Sequence, residues 1–334
     1  MRITMRLRVI LFVVLFAAVK PAWSQSSSEI RVQRPLTDRI LQYLPGYHSP
    51  QSALRTEGAK QDAVVVSKKA KVYAFATADF PGTAESVVYD ANASTIVGYC
   101  EFDPAAVPAT PQIAFTLKGG VYEMVVVPGA VSSFATGINT SGQIIGLYID
   151  SSTVAHGYLD IAGTFTNIDY PSSIGTEAFG INDSGTIVGA YSDATNTVHG
   201  FLDVAGTFTN IDYPGATATI ATGINSSGEI VGYWQDSSDN VFGFIYDGSV
   251  FTSLNVPLGT GTTPFGVNDK GEVAGFYQDA TSMYHGFIYT DGAFSQVDVV
   301  GAVGGTELSR IKNSGAITGV FIDALTEAHG MKGH

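Results

Sequence analysis

A tandem repeat with a period of 43 residues occupies most of the sequence and constrains the fold more than any other feature. Each copy contains a segment that reads GIN-x-x-G-x-I-V-G or a close variant. The second glycine of this segment recurs at spacings of 43, 43, 43 and 44 residues, at Gly142, Gly185, Gly228, Gly271 and Gly315. A second marker with the same spacing is a His-Gly or Phe-Gly pair, which begins at His156, His199, Phe242, His285 and His329. A degenerate earlier copy, VVYDANASTIVGYC, brings the number of units to six.

Each unit divides into four short segments with β-strand character. In the third unit these are TEAFGIN, TIVGAYS, TVHGFLDV and TFTNIDY, and the sequences between them are rich in residues that favour turns. Four strands and their turns fill the period, so no room remains for a helix. A repeat of about 40 to 45 residues with four strands is typical of one blade of a β-propeller.

The two ends of the repeat region complement each other. The last unit ends at HGMKGH after three strand segments, whereas residues 71–82, KVYAFATADFPG, match the missing fourth segment. An N-terminal strand that completes the last blade leaves no free sheet edge. The sequence therefore predicts an all-β fold over residues 71–334, a six-bladed β-propeller of four-stranded blades closed by an N-terminal strand. The alternative, an open β-solenoid, leaves the N-terminal segment without a partner.

The first 24 residues have the features of a secretory signal peptide. Three arginines precede an apolar run of 11 residues from Val9 to Val19, and Ala22-Trp23-Ser24 supplies small residues for cleavage. The run is too short for a bilayer-spanning helix, which needs roughly 20 residues. We therefore predict a secreted protein, extracellular or periplasmic, with no membrane span in its mature form; an uncleaved N-terminal anchor is the alternative. Residues 25–70 are predicted to be a basic linker in which PLTDRILQYLPG favours one short helix.

Charge and cysteine content exclude one class of partner and one means of stabilisation. The chain of 334 residues has a formal net charge of -13, and the part from residue 72 onward contains 26 acidic and 5 basic residues. A nucleic-acid partner needs a basic footprint, which such a domain lacks. Cys100 is the only cysteine, so no intrachain disulfide can form and stability must come from packing.

The repeat resembles that of a bacterial extracellular family named for a His-Ala-Phe triplet, the HAF repeat. The resemblance rests on the GIN-x-x-G-x-I-V-G segment and the triplet that follows it, and it covers about residues 72–334. Here Gly replaces the Ala of the triplet, as in HGF at His199 and His285, and Phe242 replaces one His. The resemblance implies secretion and a propeller-like array, and it brings no catalytic residues.

Two series of aspartates recur along the units, and the predicted topology places both on one face. The first series follows the IVG segment in a turn and includes Asp150, Asp193, Asp236 and Asp279. The second precedes the connection to the next unit and includes Asp169 and Asp212. Oxygen-rich turns can bind Ca2+, but an aspartate at the start of a turn also caps its own backbone amides, which is the role we favour. Each histidine follows its turn aspartate by six residues, and we favour a cross-strand hydrogen bond between the two over a zinc site, because one Asp and one His per blade give only two ligands.

Positions that break the repeat are candidates for ligand binding, because a site is asymmetric while the scaffold is not. They include Trp234, Phe242 and Arg310, the last of which stands where other units have Gly. Tyr170 and Tyr213 belong to DYP turns expected near the central mouth, where they can stack on sugar rings. The alternative role of these tyrosines is to shield the junction between blades.

The sequence contains no recognisable catalytic set, because the GxSxG, HExxH and P-loop motifs are absent. We therefore expect a secreted, non-enzymatic binding or scaffold propeller with an acidic face, whose extracellular ligand is a polysaccharide or a protein. The alternative is an extracellular lyase or hydrolase that assembles carboxylates from different blades at the central channel. No cofactor is expected apart from Ca2+ at the aspartates.

Overall fold

The computed structural model describes residues 73–102, 111–257, 259–325 and 327–334. Within these ranges the chain forms 24 β-strands and no helix, as the repeat predicts. The predicted signal peptide at 1–24, the linker at 25–70 and its short helix lie outside the described residues. In the described ranges, no helix has the length and hydropathy that crossing a bilayer requires.

The strands form six blades of four strands each. Blade 1 consists of β2–β5 (Glu85–Ala91, Thr95–Glu101, Ile113–Lys118, Val121–Met124) and blade 2 of β6–β9 (Ala130–Ile138, Ile144–Asp150, Ala155–Ile161, Thr164–Ile168). Blade 3 consists of β10–β13 (Gly175–Ile181, Ile187–Ser192, Val198–Val204, Thr207–Ile211) and blade 4 of β14–β17 (Ala218–Ile224, Ile230–Gln235, Val241–Tyr246, Phe251–Leu254). Blade 5 consists of β18–β21 (Gly261–Val267, Val273–Gln278, Tyr284–Thr290, Ala293–Val297) and blade 6 of β22–β24 (Gly305–Ile311, Ile317–Ile322, Ala328–Gly333) with β1 (Phe75–Thr77). The antiparallel strands of a blade are called A to D from the inside outward.

The inner A strands form a closed ring about the propeller axis. Each A strand contacts the A strand of the next blade, and β22 of blade 6 contacts β2 of blade 1. The outer position of blade 6 is filled by β1, which pairs with β24 in a register that places Phe75 opposite Gly333 and Thr77 opposite Met331. The predicted six-bladed propeller with N-terminal strand closure is therefore confirmed, and the solenoid alternative is wrong.

Glycines of the repeat are required where strands turn or approach closely. In the C–D hairpin of blade 3, Ala205 and Gly206 have φ angles of 51° and 85°, and a type I′ turn needs positive φ at both positions. In the B strand of the same blade, a Cβ at Gly189 would collide with the carbonyl of Glu177 and the ring of Phe201. The IVG glycine is thus needed for packing.

Apolar side chains fill the spaces between adjacent blades. Between blades 3 and 4, for example, one buried cluster contains Val188, Ile211, Ala221, Ile230 and Phe244. Comparable clusters lie between other neighbours. The sheets are therefore buried on both faces, and B strands such as β11 are buried along their whole length.

The two ends of the propeller carry different turns, because neighbouring strands of a blade are antiparallel. The A–B and C–D turns lie at one end, called the cavity side, which carries Gly142 and Gly185. The B–C turns and the D–A connections lie at the other end. We call this end the histidine side, because it carries His156, His199, His285 and His329.

Ring closure involves few backbone hydrogen bonds and can be tested through one donor. The amide of Ala78 donates to the carbonyl of Gly330 at 2.9 Å, and Ala78 itself is buried. We expect Ala78→Pro to lower the free energy of unfolding by about 1–3 kcal/mol, because proline lacks the amide proton and leaves a buried acceptor unpaired. Urea denaturation followed by circular dichroism measures this loss.

Thr77→Pro is the matched control for that variant. Thr77 is exposed and lies between the hydrogen-bonded pairs of the ladder, so its amide faces outward. A proline at such an edge position is tolerated. Equal losses from the two variants would contradict a closing role for the Ala78 bond.

Candidate functional site

A cavity of about 410 Å³ opens on the propeller axis at the cavity side. The A–B turns of all six blades line it, and the end of β24 adds Lys332 and His334. Its buried lining residues include Asp90 and Arg310. The cavity therefore has a polar wall and a charged inner end.

A ring of asparagines surrounds this cavity. The asparagine of each GIN segment donates from Nδ2 to the backbone carbonyl of the corresponding residue in the next blade. These bonds run from Asn92 to Asn139 (3.1 Å), Asn139 to Asn182 (3.3 Å), Asn182 to Asn225 (3.1 Å), Asn225 to Asn268 (3.1 Å) and Asn268 to Lys312 (3.2 Å). The Oδ1 atom of Asn182 also accepts from the amide of Thr186 in its own turn. Sequence reasoning identified the turn but missed the link between blades, although an identical residue in successive units was the available signal.

Blade 6 closes this ring with a lysine in place of asparagine. The Lys312 Nζ atom lies 2.5 Å from Oδ1 of Asp90 in blade 1. Asp90 is 3% exposed, and its Oδ2 accepts from the amide of Ile138 in blade 2 at 3.0 Å. An ion pair therefore joins the first and last blades where amide bonds join the others.

Arg310 fills the channel at the inner end of the cavity and is 7% exposed. Its guanidinium donates to four backbone carbonyls, those of Thr136, Phe179, Phe265 and Ser309. These four are the bulged residues of the A strands of blades 2, 3, 5 and 6, and a bulge leaves its extra residue unpaired in the ladder. The sequence identified Arg310 as a break in the repeat and a candidate ligand-binding residue. The structure gives it partners within the protein.

The charge on Arg310 is balanced locally. Its Nε atom lies 3.9 Å from Oδ2 of Asp90. Burial lowers the pKa of Arg310, and the Asp90 carboxylate opposes that shift. A buried charge with several acceptors and a counter-ion can remain ionised.

Two glutamates lie in the channel beyond Arg310, further from the cavity. Glu177 and Glu307 occupy equivalent positions in the A strands of blades 3 and 6, two residues before the bulge. In blades 1, 2 and 4 the equivalent residues belong to the central apolar cluster, as Val87, Phe134 and Ile220. The glutamates are 3% and 1% exposed, and three of their four carboxyl oxygens have no hydrogen-bond partner among the described residues. Burial raises the pKa of both carboxyls well above their usual range.

Sequence reasoning missed these glutamates. The available signal was an acidic residue at a position that is apolar in three of the other four units and Thr263 in the fourth. That the two glutamates occupy equivalent positions in blades 3 and 6, 130 residues apart in the chain, was not visible in local spacing.

On the histidine side, both aspartate series meet at the histidines. The Nδ1 atom lies 2.8–3.1 Å from an aspartate of the D–A connection, and Nε2 lies 3.4–3.7 Å from an aspartate of the B–C turn. The four clusters are Asp150–His156–Asp169, Asp193–His199–Asp212, Asp279–His285–Asp298 and Asp323–His329–Asp79. Blade 4 has Asp236, Phe242 and Asn255 at these positions. In four blades the histidine therefore bonds the aspartate of the D–A connection, whereas the turn aspartate six residues before it, the partner expected from the sequence, lies further away.

The turn aspartates also bind their own turns. Oδ1 of Asp193 accepts from the hydroxyl and amide of Thr195 and from the amide of Thr197, and these hydrogen bonds lower the pKa of Asp193 to about 2. Equivalent amide bonds reach Asp150, Asp236 and Asp279. Ca2+ at these aspartates would compete with the turn amides and, at three of the four, with a histidine.

The two tyrosines of the DYP turns lie between blades instead of near the central mouth. Tyr170 stacks on Tyr191 of the next blade, with ring centroids 3.6 Å apart, and its hydroxyl donates to Asn210 at 2.8 Å. Both partners belong to blade 3, and Asn210 is in its outer strand. The expected position at the mouth was wrong, because the packing preference of the ring draws it onto the adjacent sheet.

The corresponding stack in blade 4 contains the residues that break the repeat. Tyr213 stacks on Trp234 at 4.3 Å, and Trp234 stacks on Phe242 at 4.8 Å. Trp234 Nε1 is buried without a hydrogen-bond partner among the described residues. Phe242 thus takes the place that His199 has beside Tyr191 in blade 3.

Solved structures of other proteins are similar to this chain. TolB from Acinetobacter baumannii matches with a TM-score of 0.51 and 11% identity over 72% of this chain and 63% of TolB, so the chain spans less than two thirds of that protein. A fungal lectin from Aleuria aurantia, described as a six-bladed β-propeller with a novel fucose recognition mode, matches with a TM-score of 0.49 and 10% identity over 77% of this chain and 93% of the lectin. No protein-family model matches the sequence, and the search of curated proteins found no match. At 11% identity, the similarity to TolB shows the fold alone.

The buried Glu177 leads to a pH-dependent prediction. A raised folded-state pKa means that the protonated carboxyl stabilises the fold fully below its unfolded pKa of about 4.3, and that this stability is lost as pH rises through the folded-state pKa. We expect Glu177→Gln, which is neutral at every pH, to raise the free energy of unfolding at pH 8, because the wild-type carboxyl is held protonated or ionised in a buried site there at a cost in free energy. Urea denaturation between pH 4 and 8 should show the advantage disappearing at low pH.

The control for this prediction is Glu123→Gln in the exposed strand β5. A surface substitution of this kind is expected to change stability by less than about 0.5 kcal/mol. If Glu177→Gln destabilises the protein equally at pH 4 and pH 8, the carboxyl is not the source of the pH dependence.

Proposed function

We propose that the protein is a secreted, non-enzymatic binding propeller that holds a polar ligand, the end of a polysaccharide chain, in the axial cavity. The observation that carries this proposal is the cavity of about 410 Å³, lined by six turns and ended by Arg310. Its volume lies in the range of about 300–1,000 Å³ that is typical of small-ligand sites. A sugar unit fits such a space, whereas a folded protein domain does not.

The lining of the cavity is suited to hydroxyl groups. Thr140, Ser226 and Ser314 supply hydroxyls, and Asp183 and Lys332 supply an acceptor and a donor of opposite charge. Hydroxyls of a saccharide both donate and accept, so they can use such a mixed set. Charge-assisted bonds from a lysine contribute the most per contact.

The wall of the cavity is also asymmetric, as selective binding requires. Successive A–B turns present Ala93, Thr140, Asp183, Ser226, Asp269 and Asn313 at the equivalent position. Lys332 and His334 come from blade 6 alone. One orientation of an extended ligand is therefore favoured over the other five that a symmetric ring would accept.

The state of the carboxylates in the cavity supports binding over hydrolysis. Asp90 is paired with Lys312 and Arg310, Asp183 accepts from the amide of Thr140, and Asp269 accepts from Asn313. A lyase or hydrolase at the channel, the alternative expected from the sequence, needs an acid and a base that reach the substrate. Glu177 and Glu307 have suitably raised pKa values, but Arg310 lies between them and the cavity.

The histidine side is the surface that we propose as the acidic face of a scaffold. Among the described residues, its B–C turns and D–A connections contain no lysine or arginine, while both aspartate series lie there. This surface would repel anionic partners and attract cationic ones. Secretion and membership of the HAF-repeat family complete the proposal, on the strength of the N-terminal leader and the GIN and His-Gly motifs.

Lys332→Ala is the variant that tests the cavity. A panel of neutral and acidic polysaccharide fragments is first screened by thermal shift, because a ligand that binds only the folded state raises the melting temperature. For the fragment that binds, we expect Lys332→Ala to weaken the affinity at least tenfold by calorimetry, since a hydrogen bond to a charged group contributes about 1.5–3 kcal/mol.

Lys118→Ala is the matched control, because Lys118 is an exposed lysine at the C–D turn of blade 1, on the same side but outside the cavity lining. The affinity of the Lys118→Ala variant for the fragment should equal that of the wild-type protein. Equal weakening by both variants would show that the bound fragment lies outside the cavity, and a panel without any binder would contradict a polysaccharide ligand.

A further inference from the structure

Blade 6 differs from the other blades at its B–C turn. Four residues after the turn aspartate, blades 2 to 5 have Val154, Thr197, Asn240 and Met283, whereas blade 6 has Glu327. This glutamate adds a third potential metal ligand to the Asp–His pair of the blade. Sequence reasoning set a zinc site aside because each blade offers one Asp and one His, and it did not count Glu327.

The three side chains of blade 6 converge. One ligand atom each from Asp323, Glu327 and His329 lies within 4.8 Å of the other two. The separation between Nε2 of His329 and Oδ2 of Asp323 is 3.4 Å. Two ligands of a tetrahedral ion with bonds of about 2.0–2.1 Å are about 3.3 Å apart. The pair is thus spaced as two ligands of one small ion would be.

The remaining atoms of these side chains are held in place by the protein. Nδ1 of His329 lies 2.8 Å from Oδ2 of Asp79, and the ring stacks on Phe321 at 5.2 Å. A histidine whose one ring N–H is held by a carboxylate presents the other nitrogen to a metal. Oδ1 of Asp323 accepts from the amides of Leu325 and Glu327, which leaves Oδ2 as the ligand atom.

We propose that Asp323, Glu327 and His329 bind one Zn2+ ion, with Asp79 as the carboxylate that orients the histidine. An imidazole nitrogen with two carboxylates suits Zn2+, whereas Ca2+ prefers an all-oxygen set. The side chains of Asp323 and His329 are 28% and 23% exposed, so the ion can enter from solvent and keep a water as its fourth ligand. This site is independent of the cavity on the opposite side of the propeller.

The position of the site connects it to ring closure. Asp79 lies two residues after the end of β1, and its Oδ1 accepts from the amide of Gly330 in β24 at 3.2 Å. The ion would therefore stabilise the packing of the hairpin β23–β24 beside β1, the strand that completes blade 6. Because Zn2+ binds the folded state, it should raise the melting temperature of the protein.

The test is calorimetric titration of the untagged protein with Zn2+, with Glu327→Thr as the variant that copies blade 3. We expect one ion per chain for the wild type and at least a hundredfold weaker binding for Glu327→Thr, with unchanged circular dichroism. Asp79→Asn should weaken binding about 10–100-fold, as loss of an orienting carboxylate does.

Blade 3 supplies the reciprocal experiment. There Nε2 of His199 lies 3.6 Å from Asp193 and Nδ1 lies 3.0 Å from Asp212, so Thr197→Glu should create a second site and raise the stoichiometry to two. Unaltered Zn2+ affinity in Glu327→Thr would overturn the proposal. Failure of Thr197→Glu to add an ion would contradict the claim that these three ligands suffice. Displacement of Zn2+ by millimolar Ca2+ would show that the metal was assigned wrongly.

Discussion

The close approach of six A strands around one axis is the constraint on which the rest of the structure depends. A Cβ at Gly223 would lie 2.7 Å from the carbonyl oxygen of Phe265 and 3.1 Å from Cα of Gly266, and a Cβ at Gly266 would lie 2.9 Å from Cα of Arg310. The glycine of the GIN segment is therefore required because neighbouring A strands nearly touch. Four such glycines bring the ring together, and the two blades that lack one contribute Asp90 and Arg310 instead.

This substitution of a charge pair for two glycines explains how the channel can be filled without a large apolar plug. Each A strand has a bulge directly before the glycine position. The carbonyls of bulged residues lack a ladder partner, and a guanidinium with five donors can bind several of them. The bulges and Arg310 therefore depend on each other. Without Arg310 the buried carbonyls would lack a hydrogen-bond donor, and without the carbonyls the buried guanidinium would lack acceptors. The Arg310 side chain also forms the inner end of the cavity and separates the cavity from Glu177.

The sequence predicted those features that recur at every unit. Strand number and blade boundaries follow from local patterns that recur in all six units, and the closing strand follows from the match between residues 71–82 and the segment missing from the last unit. It did not predict features that depend on contacts between units. The Asn182 side chain reaches a carbonyl 43 residues away and Arg310 reaches one 174 residues away, and no spacing within a unit encodes either. Tyr170 was misplaced for the same reason, because its partner Tyr191 belongs to the next blade.

Several departures from the repeat lie where the chain ends meet. Asp90 and Lys312 join blades 1 and 6 by an ion pair on the cavity side, where the other junctions use an asparagine amide. On the histidine side, Asp79 and His329 join β1 to β24 by the same Asp–His contact that blades 2, 3 and 5 contain. Closure therefore reuses the repeat on one side and departs from it on the other, and the departures contribute to the asymmetry of the ring. Both proposed sites use that asymmetry: Lys332 in the cavity and Glu327 beside His329 each belong to the blade that closes the ring.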